Sequence, residues 1–309
     1  MLSSIWDDLK REYEYGNMIS RLMIINISIF ILYSCVNVLV FIFTQGTLIT
    51  WFDEFMQHFC MSSNWRILVW QPWSIVTHFF LHFGFGHILW NMAALYFFGS
   101  VYGDLLGDQR VLPLYILGGL AGAVAYFCSA MILPGIGSYA LGASASIMAI
   151  VVAAGIKAPN YQMRLILLGD VKLKYIVMVM LLLDMIGVRS MDGGIGANSG
   201  GHIAHLGGAL MGFIFINRLN NGYDMGAPVN RFLDSILNLY KRMRGEHRPK
   251  PTVAHRNREA TTVRRERASK TNAVANQQEL DVILEKIKEK GYDSLSKEEK
   301  EALFNASKQ

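Results

Sequence analysis

Residues 201–218 read GHIAHLGGALMGFIFINR. After His202 and His205 the stretch is apolar or small until it meets Asn217 and Arg218. A run of this kind reads as a membrane-spanning helix whose charged end marks the water boundary. The spacing Gly208-x-x-x-Gly212 lets such a helix approach a neighbour's backbone. Taken alone, the glycines predict helix packing and no chemistry. The histidines are different, because ionisable side chains in hydrocarbon are costly and are usually retained for a function.

Working outward, five more apolar stretches lie at 22–44, 85–103, 111–133, 141–156 and 174–188, with the opening stretch trimmed to 203–217. Each is near the roughly 20 residues needed to cross a hydrocarbon layer about 30 Å thick, although 141–156 and 174–188 are short. Six spans are expected. The whole chain of 309 residues agrees: it is 52% hydrophobic and 17% charged, against roughly 25% charged in a typical soluble domain. Residues 1–218 carry 11 Lys/Arg and 11 Asp/Glu, whereas 219–309 carry 18 and 13. The first two-thirds suit lipid and the last third does not. Lys10, Arg11, Arg21, Arg110, Lys157, Arg164, Lys172, Lys174 and the basic tail fall on one side, with Arg66 and Arg189 on the other. That asymmetry predicts both termini on the cytoplasmic side. The loop 45–84 holds Trp51, Trp65, Trp70 and Trp73 and suits an element at the outer interface. Cys35, Cys60 and Cys128 are too few and too scattered for a disulfide framework or a zinc site.

Polar residues inside the spans are the informative positions: His87 and Asn91 in HILWN, Ser144 in GASAS, and His202 and His205 in GHIAH. Spans two, four and six run in the same direction, so depth is counted from each span's first cytoplasmic charge. Asn91 to Asp104, Ser144 to Lys157 and His205 to Arg218 are each 13 residues. At about 1.5 Å per residue, all three side chains sit about 20 Å above that boundary. A serine needs an adjacent base to become a nucleophile, and a histidine at equal depth supplies one. Acyl transfer also needs donors for the developing oxyanion, which the Asn91 amide, the His87 imidazole and the Ser144 backbone N–H can provide. His87 and Asn91, at i and i+4, share a helix face. Water must reach this level, so the helices should surround a cavity.

With these motifs in order, the sequence resembles the rhomboid family of intramembrane serine proteases over residues 15–218. The resemblance rests on H-x-x-x-N at His87–Asn91, G-x-S-x at Gly142–Ala145 and A-H-x-x-G-x-x-x-G at Ala204–Gly212. It implies an all-α membrane protein, a six-helix rhomboid-like bundle with an interfacial first loop and a short helical tail. It implies Ser144 as nucleophile, His205 as base, and His87 and Asn91 as oxyanion donors, with Gly142, Gly208, Gly212 and Met148 in supporting positions. Substrates would be transmembrane proteins cut in or near a membrane helix, and no metal or cofactor is implied. Departures from the common pattern are Ala145 after the nucleophile, Met148 where an aromatic residue is frequent, Trp73-Ser74 in place of a Trp-Arg pair, and Tyr102-Gly103-Asp104 near the inner end of span two.

Competing readings were open at several positions. Ser146 lies about 200° from Ser144 around a helix and is expected to pack. His202 is expected to be structural, and His78 with His82 to belong to the interfacial approach to span two. Asp184 is the only carboxylate well inside a span, with cation binding, cavity lining or snorkelling as its possible roles. A metal transporter or metalloprotease built on the histidines lacks H-E-x-x-H and any intraspan glutamate. A rhomboid-like pseudoprotease that binds membrane clients without cutting them is the remaining alternative.

The organisation expected is a cytoplasmic segment at 1–20, a protease domain at 21–218, an amphipathic and basic linker at 219–277 and a small helical unit at 278–309. In 227–245, apolar residues at helical spacing flank basic ones, which suits a helix on a lipid surface. The stretch 241–270 carries 11 Lys/Arg and 3 Glu, so anionic lipid is a fitter partner than nucleic acid. Residues 278–307 form a helical pair with a capping box at Ser296-x-x-Glu299, and 278–309 is a candidate protein-docking unit. With no cleavable signal or organelle-type presequence visible, the expected location is a bacterial cytoplasmic membrane.

Overall fold

The computed structural model describes residues 2–165, 169–189, 198–244, 281–291 and 294–306. Within it, Met1–Tyr240 and Lys241–Gln309 form two compact units. In the first, α1 (Leu2–Tyr15) leads into α2 (Met18–Thr44), whose start is capped by the Asn17 side chain accepting from the Ser20 N–H at 2.9 Å. The connecting segment folds into α3 (Ile49–Gln57), α4 (Trp65–Trp70) and α5 (Ser74–Thr77). Then come α6 (Phe85–Leu106), α7 (Val111–Ile132), α8 (Ser144–Lys157), α9 (Leu173–Gly187), α10 (Ser199–Asn220) and α11 (Gly226–Met243).

Among the described residues, three helices are long and apolar enough to cross a membrane: Met18–Thr44, Asp108–Ile132 and Ser199–Asn220. Helix α8 is apolar but shorter, at 14 residues. It starts three residues later than the apolar run at 141–156, because Gly142 takes φ +117° and the chain enters α8 as a loop. At about 1.5 Å per residue, α8 is only about 21 Å long. The outer part of that layer is therefore made of loop, and Ser144 stands in the first turn of a helix.

Small residues explain how the bundle closes. Ala149, Ile150, Val151, Ala153 and Ala154 of α8 are completely buried, with α7 and α10 packed against it. A Cβ on Gly208 or Gly212 of α10 would run into the Ala145 or Ala149 carbonyl oxygen of α8. On α7, a Cβ at Gly118 would lie 3.1 Å from the Ser146 Cα. Lipid tails are as apolar as leucine, so such helices hold together through close van der Waals fit. Lipid-facing apolar residues remain exposed on the outer helices, among them Leu32 and Phe43 of α2 and Leu182 and Leu183 of α9.

Two tethers seat the connecting segment on the bundle. A short antiparallel pair, β1 (Met61–Ser62) with β2 (Tyr139–Ala140), joins it to the approach to Ser144. On the other side, Tyr115 donates to the Phe79 carbonyl at 2.8 Å, and the buried Asn26 amide of α2 donates to the Tyr115 hydroxyl at 3.3 Å. The Asn26–Tyr115 link is a buried polar contact that the span-by-span reading passed over. Trp51, Trp65, Trp70 and Trp73 are all exposed, as expected of an interfacial segment. Beyond α8, β3 (Gln162–Leu165) pairs antiparallel with β4 (Gly169–Lys172). Helix α11 is held at its start by Asp224, which pairs with Arg110 at 2.8 Å, and by Asn230, which donates to the Gln109 carbonyl at 3.0 Å.

In the second unit, α12 (281–290) and α13 (Lys297–Ala306) are tied by Lys286 to Glu299 at 2.7 Å. The capping box is formed in both directions: the Glu299 N–H donates to Ser296 Oγ at 3.2 Å and the Ser296 N–H to Glu299 Oε2 at 2.7 Å. The Lys286 hydrogen bond holds the half-buried Glu299 carboxyl below its ordinary range. The expected disorder in 241–270 falls almost wholly outside the described residues.

Replacing Gly208 by Ala should lower stability by about 1–3 kcal/mol through overpacking. Thermal melting in detergent checks this against Leu210→Ala, an exposed position on the same helix; equal melting temperatures for the two variants would refute the close-contact account.

Candidate active site

A cavity of about 720 Å³ opens among α6, α8, α9 and α10, lined by Ser144, His205, His87, Asn91, Met148 and Asp184 among others. The two expected catalytic residues and both expected oxyanion donors thus face one space, although they come from three helices. Ser144 opens α8, where the first N–H groups have no intrahelical partner and the helix dipole favours negative charge.

The loop ahead of Ser144 is held on both edges. The Gly142 N–H donates to the His78 carbonyl at 2.8 Å, and the Ala143 N–H to His82 Nε2 at 3.4 Å. His78 and His82 were expected only to approach span two, yet they hold the loop that carries Ser144. Burial pushes both down to about 4, so each stays neutral across the physiological range. Neutrality matters for His82, whose Nε2 can accept the Ala143 proton only when unprotonated. Gly142 is required twice over. Its φ suits a residue without a side chain, and a Cβ there would sit 2.7 Å from His87 Nε2. The His87 ring therefore lies directly over the loop that carries Ser144. Asn91 Nδ2 donates back to the His87 carbonyl at 2.9 Å, which fixes the amide beside the ring.

On the opposite wall, His205 Nδ1 lies 2.7 Å from Asp184 Oδ1, and His202 Nδ1 lies 2.8 Å from the same oxygen. A carboxylate only accepts, so both rings carry their proton on Nδ1 and the Nε2 of each is left with a free lone pair. Asp184 is buried at 5% exposure, so it does not snorkel to the interface. Its Oδ2 has no hydrogen-bond partner among the described residues. His202 lies flat on α9, where a Cβ at Gly187 would come within 2.6 Å of its ring. Asp184 is the site residue whose role the sequence left open. Ser146 is fully buried against Gly119 and takes no part in the cavity, as expected.

The arrangement defines a helical membrane protein with a serine and a histidine on one water-accessible cavity. The rhomboid domain matches residues 69–220, and residues 268–309 match a family of unknown function, DUF6576. The chain is similar to "Presenilin-associated rhomboid-like protein A, mitochondrial" of Danio rerio, 32% identical over 150 residues, which cover 46% of this chain and 36% of that one. It is also similar to "RHOMBOID-like protein 12, mitochondrial" of Arabidopsis thaliana, 43% identical over 53 residues, covering 17% and 16% of the two chains. The Bos taurus "Presenilin-associated rhomboid-like protein, mitochondrial" is 30% identical over 145 residues, covering 44% and 35%. Residues 69–220 form a domain of the rhomboid family, which includes serine proteases. The matched regions span about a third or less of these relatives' own lengths.

One expectation is corrected by these relatives. These relatives are named as mitochondrial proteins, which overturns the expected bacterial cytoplasmic membrane. Apolar spans report that a segment suits lipid but not which membrane holds it, and the opening residues of the chain could not carry the placement.

Gly142→Ala should cost about 1–3 kcal/mol in backbone strain, plus displacement of His87. Gly137→Ala isolates the first effect, because Gly137 also has positive φ but nothing lies within 4 Å of its Cβ position. Chemical denaturation of the two variants should show the larger loss at Gly142; equal losses would mean that the His87 contact is unimportant.

Proposed function

We propose that the chain is an intramembrane serine endopeptidase acting on transmembrane protein substrates. The observation that carries this reading is the 2.7 Å contact from Asp184 to His205 Nδ1, on the same cavity as Ser144. It sets the His205 tautomer so that Nε2 is the atom free to take a proton, as an orienting carboxylate does for a catalytic imidazole.

Ser144 Oγ attacks the scissile carbonyl carbon while its proton passes to His205 Nε2. The carbonyl oxygen, now negative, is stabilised by the Ser144 N–H at the helix start and by the His87 and Asn91 side chains. His205 then gives the proton to the departing amine, and a water activated by the same nitrogen releases the acyl group. Asp184 orients and does not itself react. His78 and His82 hold the loop and touch no reacting atom. Met148 lines the cavity floor with a flexible thioether in place of a rigid ring.

Six spans fit this reading. Helix α6 has 22 residues, or about 33 Å, while α8 and α9 are shorter and flank the water-filled part of the bundle. We place the protease domain at 21–218, the amphipathic and basic linker at 219–277, and the tail unit at 278–309 as a candidate docking module. Exposed Phe232, Ile236, Leu237 and Tyr240 of α11, beside a strongly basic stretch, suit an anionic bilayer surface.

The test is cleavage of a tagged single-span substrate by the full chain in liposomes. Ser144→Ala and His205→Ala should abolish cleavage and labelling by a fluorophosphonate probe. Asp184→Asn should lower kcat by about 10²–10⁴ with KM little changed, because it disturbs the base and not substrate binding. Continued cleavage by Ser144→Ala would overturn the reading. No cleavage or labelling by the wild-type protein would favour a client-binding pseudoprotease.

A further inference from the structure

Asp184, His202 and His205 bring three metal-ligating atoms within 4.8 Å of one another. The serine mechanism uses only two of these groups. His202 contributes nothing to proton transfer, yet its ring is laid against Gly187 so that Nδ1 reaches the oxygen that orients the base. A second observation points to a missing ligand: Asp184 is buried, and its Oδ2 has no hydrogen-bond partner among the described residues. A buried carboxylate with one oxygen lacking a donor is short of positive charge, and a cation bound to the carboxylate would supply it.

We infer that Asp184, His202 and His205 form a binding site for a divalent cation of the zinc type, and that its occupancy switches the protease off. Two imidazole nitrogens and one carboxylate oxygen, with a fourth position open to cavity water, match the donor set zinc takes where it keeps an exchangeable ligand. Metal–nitrogen and metal–oxygen bonds of about 2.0–2.2 Å at tetrahedral angles place neighbouring ligand atoms about 3.3 Å apart. The present nitrogen–oxygen distances are 2.7 and 2.8 Å, so each of these two edges opens by about half an ångström to admit the ion.

The consequence for chemistry follows from proton positions. Coordination through Nδ1 requires that nitrogen's lone pair, so the proton of each ring moves to Nε2. His205 Nε2 is then a donor. It cannot take the Ser144 proton, and the nucleophile stays a neutral hydroxyl. No bond in the substrate changes, and no oxidant or reductant is involved. The inhibitory half of the inference rests on the serine–histidine reading; metal binding does not.

The two halves are therefore tested apart. Metal-free full-length Ser144→Ala protein in detergent is titrated with Zn²⁺ by calorimetry and with Co²⁺ by its visible absorption. One tight site per chain is expected. Removing a ligand should weaken it by more than the roughly 10–100-fold typical of losing a ligand's supporting partner. Asp184→Asn and His202→Asn are each added to this background, with melting curves to confirm folding and His58→Asn, an exposed position, as the control for surface histidines. Zn²⁺ is then titrated against cleavage by the protein with Ser144 intact. Half-inhibition should need at least tenfold more Zn²⁺ in His202→Asn than in wild type, each relative to its own metal-free rate. The inference is overturned by absent binding, by binding that both ligand variants retain, or by activity that rises with Zn²⁺ or is lost to a chelator. Tight binding without any cleavage by the metal-free protein would keep the site and remove its inhibitory role, and the serine reading would fall with it.

Discussion

The contact on which the site depends is the approach of α10 to α8 at Gly208 and Gly212, where the two backbones touch with no side chain between them. In water, burial of apolar surface would press such helices together; in lipid that force is missing, and fit has to supply the difference. Glycine gives fit at the cost of conformational freedom, roughly 0.5–1 kcal/mol relative to alanine within a helix, which the close contact has to offset. Because His205 lies less than one turn before Gly208, the same contact brings its imidazole to the level of Ser144. Helix packing and placement of His205 are consequences of one spacing.

Close packing on one side of α8 leaves room on the other. Helix α9 meets α10 through Asp184, His202 and Gly187, and meets α8 where Val177 covers Gly155. The first of these contacts is polar and opens on the cavity, whereas the second is apolar and closed. Water at the site therefore does not imply a loosely packed bundle. The roof over Ser144 comes from the connecting segment, through the β1–β2 pair and the backbone links to His78 and His82. Neutral, buried histidines are suited to that task, since a charged ring would lose the acceptor that holds the Ala143 N–H.

Much of the site was legible because lipid makes polar residues scarce. Counting thirteen residues from each boundary charge placed Asn91, Ser144 and His205 at one depth, and one cavity receives all three. The fold was less legible where apolar sequence and helix part company. Residues 141–143 are as apolar as the helix that follows, but Gly142 needs a positive φ, so the span is part loop. Composition could not reveal this. Asn26 and Tyr115 were invisible for a different reason: each is unremarkable within its own span, and only the packing of α2 against α7 makes them partners.

Asp184 shows what a depth count leaves out. Measured along the chain, it lies near Arg189 and the outer boundary, where a carboxylate can reach water by snorkelling. Depth is only one of the two coordinates of a residue on a helix. The other is angle, and the buried residues of α9 are Leu173, Val177 and Asp184, spaced by four and seven and so aligned on one stripe. Met178, Leu182, Leu183 and Met185 occupy the remaining faces and are exposed to lipid. A carboxylate on the inward stripe cannot reach water along the lipid side, so it must find donors within the bundle. His202 and His205, three apart on one face of α10, are the donors it finds, and the same angular argument makes a buried acid, not an exposed one, the partner of His205.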